Sequence, residues 1–158
     1  MSMIYSPDSM HRQVQVIADF QFGSGAGIAL FPDGCEFILS RTGRIRQVTL
    51  DGKRLATVRA QDGRLTLGIA GALRLMEALP PPAYRVVVLD DVAEFINRGK
   101  NTFAKHVIAA DPAIRAGDEV MVVTEQGYLL ATGSAVLSGH EMLIFKYGVA
   151  VKVRQGKE

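Results

Sequence analysis

Within residues 99–107, "GKNTFAKHV", one phenylalanine sits among Lys100, Asn101, Lys105 and His106. These residue types at this spacing allow two chemistries. As a loop anchor, Phe103 has Val107 and Ile108 as local apolar partners and its ring is hidden. As an exposed ring at a loop tip, it stacks on a terminal base pair or an unstacked base, a contact worth about 1–3 kcal/mol per base. Lys100, Lys105 and, near the end of the chain, Lys152 or Arg154 would then meet flanking phosphates. Such contacts position a nucleic acid without reading its sequence. Structured RNA is recognised by shape and at its ends and loops, so the exposed alternative fits an RNA end better than a duplex groove.

The charge distribution points the same way. Net charge is only +2 over 158 residues. Yet residues 41–64, "RTGRIRQVTLDGKRLATVRAQDGR", hold seven Lys/Arg against two Asp, a local excess of five positive charges. That is a concentrated field on a nearly neutral chain, although basic hairpin tips are also common as plain solvated surface.

Other chemistries find little support. "GSGAG" at 23–27 is glycine-rich, but a dinucleotide fingerprint needs a helix after it and an acid about 20 residues on. Pro32 leaves no room for that helix, so a tight turn with close backbone packing is expected instead. His11, His106 and His140 are far apart and have no ligand-spaced neighbours. One cysteine, Cys35, excludes an intramolecular disulfide and a multi-cysteine zinc site. Asp90 and Asp91 are adjacent, but a helix cap accounts for them. The expectation is no catalytic residue, no metal and no cofactor. No apolar run approaches the roughly 18 residues of a membrane span, and the first residues lack the basic start and apolar stretch of a signal peptide. A cytoplasmic protein with no membrane partner is expected.

The elements that must position these residues divide near "LPPPAYR" (79–85), where three prolines end any helix and hold the chain extended. The expected domains are 1–82 and 83–158. In the first, "PDSMHRQVQVIADF" carries helix-start signals at Pro7, Asp8 and Ser9, with Met10, Val14 and Ile17 on one face. Asx-Gly turns then recur at 33–34, 51–52 and 62–63, predicting a meander of about four antiparallel strands. Arg44 and Arg46 share one strand face there. "GALRLMEAL" closes the domain as a helix with Ala72, Leu75, Met76 and Leu79 inward. In the second, "RVVVL" is a buried strand. "DDVAEFINRG" is a helix with an Asp91/Glu94 capping box, an inward stripe of Val92, Phe95 and Ile96, and a left-handed stop at Gly99. A long connection, a hairpin around Gly127, a short helix capped by Ser138 and Glu141, and the strand "VAVKVRQ" complete it. The order β–α–loop–β–β–α–β predicts a small closed or half-closed sheet in an α+β chain, not a doubly wound fold.

The second half resembles a PUA domain, a small RNA-binding β pseudo-barrel, in "INRGKNTFAKHV", "IRAGDEVMVV", "LLATGSAVLS" and "KYGVAVKVR". With "FAKHV" and "DPAIRAGDEV" it is most similar to the PUA domain of archaeal tRNA-guanine transglycosylases of the archaeosine pathway. "ADFQFGSGAGIALF", "SRTGRIRQV" and "LATVRAQDGRLTLGIAGALRL" resemble the domain preceding PUA in those enzymes. The resemblance implies a fold of a small N-terminal α+β domain with an antiparallel sheet, followed by the PUA pseudo-barrel. It implies that Arg98, Lys100, Asn101, Phe103, Lys105, Lys152 and Arg154 bind a tRNA acceptor stem and 3′ end, Phe103 by stacking. Arg41, Arg44 and Arg46 would extend the footprint. Nothing in this sequence corresponds to the family's catalytic barrel or zinc ligands.

The expected function is therefore that of an RNA-binding accessory or detached subunit in tRNA modification, inactive alone and acting with a separately encoded transglycosylase or synthase catalytic subunit. The alternative is a PUA-type factor in translation or ribosome assembly that binds ribosomal RNA. A small enzyme and a protein-docking module in which Phe103 contacts another chain are the remaining classes.

Overall fold

The computed structural model describes residues 6–158. Its contacts divide the chain into two units, Met1–Leu79 and Pro80–Glu158.

In the first unit, helix α1 (Pro7–Phe22) starts where the Ser6 side chain accepts the N–H of Ser9, with proline in the first turn and Asp8 beside the positive helix end. The cap is thus the residue before the expected start signals. Its buried line is Val14, Ala18 and Phe22, four residues apart; Met10 and Ile17 lie half-buried at its margin. A short helix α2 (Ala26–Leu30) follows, where none was expected. Five residues are enough for one turn that ends before Pro32. The predicted close packing is present: a Cβ on Gly27 would lie 2.2 Å from the carbonyl oxygen of Gln15, and the Gly27 N–H donates to Asp19 Oδ1 at 2.7 Å.

The expected four-stranded meander is present as β1 (Glu36–Leu39), β2 (Ile45–Leu50), β3 (Lys53–Val58) and β4 (Leu65–Leu67), antiparallel and in chain order. Asp51 and Gly52 both have positive φ, 53° and 78°, between the paired Leu50 and Lys53. This is the two-residue turn whose twist matches that of the strands. Helix α3 (Ile69–Ala78) buries Gly71, Ala72 and Leu75. Val48, Leu55, Ala56, Leu65 and Leu67 are buried in the sheet.

The second unit is a six-stranded, nearly closed sheet of order β6-β10-β9-β8-β5-β7. Its strands are β5 (Arg85–Val88), β6 (Thr102–Phe103), β7 (Val107–Ala110), β8 (Glu119–Val123), β9 (Leu129–Ala135) and β10 (Val149–Gly156). Only β5 and β8 pair in parallel. Val86, Val88, Val120, Val122, Met142 and Val151 are among the residues filling its interior. Helix α4 (Ala93–Asn97) and helix α5 (Gly139–Ile144) are short. The connection expected between the first helix and the hairpin holds two further strands, β6 and β7. β6 is too short to show alternation. β7, "VIAA", is buried at Val107 and exposed at Ile108 and Ala109.

Local caps divide the same way. Ser138 and Glu141 make both bonds of the predicted capping box on α5. The Asp91/Glu94 box does not form. Asp90–Val92 tightens into a 3-10 turn, and α4 begins after Val92 without a side-chain cap. Gly99 has the expected positive φ, 100°.

Candidate nucleic-acid interface

Phe103 is placed by strand pairing. β6 pairs antiparallel with β10, with Thr102 opposite Val151 and Phe103 opposite Val149. Successive side chains along an extended chain point to opposite sides. Thr102 and Ala104 are buried, and Phe103 between them is 41% exposed. The ring meets the imidazole of His106 edge-on, centroids 6.5 Å apart and planes at 85°. Of its suggested core partners, Val107 is buried but Ile108 is exposed.

The exposed side of Phe103 forms one wall of a concavity of about 480 Å³. Val92, Phe95 and Ile96 supply apolar surface from the α4 side, and Lys100, Asn101 and His106 supply polar atoms. Such a site, mostly apolar with a few polar groups, fits a flat apolar body carrying charge at its edge. Phe95 corrects the sequence reading. It was placed on the inward stripe of α4 but is 57% exposed. Its spacing from Val92 and Ile96 is the same for a core stripe and a pocket wall, so periodicity could not separate the two.

Of the residues read as sites, Lys100, Asn101 and Phe103 come together in this concavity. Lys105 is exposed in the 3-10 turn Ala104–His106 that follows Phe103. The side-chain oxygen of Asn101 is already used as an acceptor for the N–H of Val153. Arg98 does not line the concavity; it pairs with Glu94 and, at 3.5 Å, with Glu158. Lys152 and Arg154 are two apart on β10, both exposed. Arg154 Nη1 donates to Glu119 Oε2 at 2.6 Å.

In the first unit Arg41, Arg44 and Arg46 all line a shallow concavity of about 410 Å³. Arg59 joins them there, and the sequence reading missed it. The Asp51-Gly52 turn alone does not give it, because the β2–β3 register shifts between Val48 and Thr49; beyond that shift, continuing the pairing of Gln47 with Thr57 brings Arg59 opposite the Arg44–Arg46 segment. Two of these charges are partly engaged. Arg59 approaches Asp62 at 3.6 Å, and Arg44 Nη1 lies 3.5 Å from the Ala60 carbonyl.

Among the described residues, no group of three or more His, Cys, Asp or Glu side chains is placed to hold a metal ion. No described helix is long and apolar enough to cross a membrane. Burial pushes the Cys35 thiol above its usual pKa, keeping it protonated, and it lines neither concavity.

Comparison with known proteins gives a consistent pattern. Residues 12–82 match the patch-forming domain C2 of tRNA-guanine transglycosylase, and residues 84–157 match the PUA domain. The tRNA-guanine(15) transglycosylase of Pyrococcus abyssi is 57% identical over 145 residues, which are 92% of this chain and 24% of that protein. The corresponding protein of Methanothermobacter thermautotrophicus is 45% identical over 150 residues, 94% of this chain and 23% of that one. The chain thus spans about a quarter of the length of these curated relatives. Among solved structures, a hypothetical protein from Pyrococcus horikoshii superposes with a TM-score of 0.72 at 23% identity, covering 92% of this chain and 89% of its own. A conserved PUA domain protein from Thermoplasma acidophilum gives 0.67 at 20% identity, covering 96% and 90%. At these identities the two structures show a shared fold.

Proposed function

We propose that this protein, whose residues 12–82 match the patch-forming domain C2 of tRNA-guanine transglycosylase and whose residues 84–157 match the PUA domain, binds RNA, specifically the acceptor stem and 3′ end of tRNA, in the service of tRNA modification. The observation that carries this reading is the half-exposed Phe103 ring in an apolar concavity edged by Lys100 and His106. A nucleobase is flat, apolar on its faces and tied to a phosphate, and this site offers a complement to each property. Phe103 and Phe95 supply ring surface. Lys100, Lys105, Lys152 and Arg154 supply the phosphate and sugar contacts, and Asn101 contributes its NH2 group. Arg98 contributes least, because two carboxylates already offset its charge. Arg41, Arg44 and Arg46, with Arg59, form a second basic surface on the other unit. In this reading the cations meet phosphates and the rings meet base faces, so recognition is by shape and terminus.

In this reading residues 12–82 and 84–157 bind RNA and supply no catalytic group. The relatives named as tRNA-guanine(15) transglycosylases are about four times as long as the matched region, and the described residues present no acid–base or nucleophilic set. The protein acts as an accessory or detached subunit of a transglycosylase or synthase in the archaeosine pathway. The test is a binding titration of wild type and Phe103→Ala with intact tRNA and with tRNA lacking its 3′ end. The expected result is weaker binding of intact tRNA by the variant, by about 1–3 kcal/mol, and little further loss on trimming. Equal binding of intact tRNA by both proteins sinks the reading.

A further inference from the structure

A second aromatic cluster lies beside the Phe103 strand. Between the end of α5 at Ile144 and the start of β10 at Val149 runs "FKYG", residues 145–148. The rings of Phe145 and Tyr147 stack there, centroids 6.4 Å apart and planes 29° from parallel. Tyr147 is 78% exposed. A ring that served the core would be covered. This one is largely bare, and Phe145 backs it, so a flat apolar face is held in a set orientation without burial.

The cluster is tied directly to the segment that carries Phe103. The N–H of Ala104 donates to the carbonyl of Gly148 at 2.8 Å, and Val149 stands opposite Phe103 across β6 and β10. From the spacings of extended chains and paired strands, the Cα atoms of Tyr147 and Phe103 are on the order of 10 Å apart. Charge selects the occupant. Residues 142–157 contain no Asp or Glu, and neither do residues 95–110. Lys146 stands between the two stacked rings in sequence, and Lys105 follows Phe103 by two residues. The exposed Leu143 and Ile144 of α5 would suit a protein partner, but the lysines beside both exposed rings favour a polyanion.

We propose that the Phe145–Tyr147 pair is a second stacking platform, which takes an unpaired nucleotide of the same RNA strand whose other unpaired base occupies the Phe103 concavity. Lys146 and Lys105 hold the phosphates along this track. The ligand is then a single-stranded terminus of several nucleotides rather than a blunt duplex end. The inference rests on the RNA-binding reading and adds to it a required length of single strand.

The experiment uses RNA hairpins with four-, one- and zero-nucleotide 3′ extensions, titrated against wild type, Phe103→Ala, Tyr147→Ala and Tyr147→Phe by fluorescence anisotropy. Tyr147→Ala is expected to lose about tenfold in affinity for the four-nucleotide extension and to match wild type on the blunt hairpin. Tyr147→Phe, which keeps the ring, should bind like wild type. Exposure of Tyr147 means that its variants should keep the wild-type melting temperature. An Ala variant that binds every hairpin like wild type, or weakens all three equally, overturns the platform. So does a Tyr147→Ala variant whose only change is loss of self-association in sedimentation, which would make the loop a protein contact. In each of those cases a weakened Phe103→Ala leaves the RNA-binding reading standing. A Phe103→Ala variant with unchanged affinity for the four-nucleotide extension removes that reading instead.

Discussion

The side-chain oxygen of Asn101 accepts the backbone N–H of Val153 at 2.9 Å, joining the loop before Phe103 to a strand more than fifty residues later. β6 pairs with β10 only at Val149 and Val151, so β10 runs beyond its neighbour and would present an unpaired N–H at Val153. Asn101 supplies the missing acceptor, as a third strand residue would. A backbone donor at that position requires the Asn oxygen, which leaves the NH2 group as the remaining donor. One residue therefore closes a sheet edge and fixes the approach to the stacking ring.

That double role separates two substitutions. Asn101→Ala removes the acceptor and should lower stability by about 1 kcal/mol, read as a lower urea midpoint at unchanged slope, and should weaken tRNA binding with it. Asn101→Asp keeps an acceptor oxygen, so its stability should stay near wild type. It also places a carboxylate beside Lys100, where a phosphate is proposed to lie, so its affinity should fall several-fold. Wild-type affinity in Asn101→Asp would mean that no phosphate comes near this loop.

Arg154 and Glu119 form the second such pairing. Glu119 lies almost wholly buried on β8, and Arg154 about one third exposed on β10. Removing the cation takes one charged partner from a buried carboxylate. For a fully buried pair that costs about 3–5 kcal/mol; the exposure of Arg154 lets water screen part of it, and about 1–2 kcal/mol is expected here. Arg154→Ala should therefore unfold at lower denaturant and also bind RNA more weakly. Glu119→Gln removes the buried charge while leaving the guanidinium, so it should retain RNA affinity, and the Glu119→Gln/Arg154→Ala pair should be more stable than Arg154→Ala alone. RNA binding that falls as far in Glu119→Gln as in Arg154→Ala would show that both residues act only through the fold.

What the sequence made legible was local. The Ser138–Glu141 box, the Asp51-Gly52 turn and the Gly99 stop each depend on a few adjacent residues, and each is found where its signal lies. Asp91 and Glu94 carry the same spacing as Ser138 and Glu141 yet form no box. Leu89 is drawn to His106 by an N–H to carbonyl bond at 3.1 Å, and the Val92 N–H turns back to Leu89, which tightens the backbone into a 3-10 turn. That determinant lies in the 3-10 turn before β7 and leaves no mark near Asp91. β6 was hidden for the same reason: two residues carry no period, and their partner Val149 is far along the chain. The basic residues were legible as a set but not in their pairings. Glu94 stands four residues before Arg98, a helical spacing, but Glu158 reaches Arg98 only through the fold, and Arg59 joins Arg44 and Arg46 only through the β2–β3 register.

The pairing of Arg98 gives the sharpest comparison between neighbours. Arg98 and Lys100 are two residues apart and carry the same formal charge. Lys100 lines the Phe103 concavity, whereas Arg98 faces two carboxylates. Each phosphate neutralised by a cation contributes about 0.7 to 0.9 to the fall of log affinity with log salt, so about four contacts give a slope near −3. Lys100→Ala should reduce the magnitude of that slope by about one and weaken binding to any tRNA sequence alike. Arg98→Ala removes a charge that Glu94 and Glu158 already offset, so it should change the slope by less than half as much. Titrations of both variants across a series of salt concentrations measure the difference. Equal losses of slope would place Arg98 on a phosphate, with its guanidinium released from both acids in the complex.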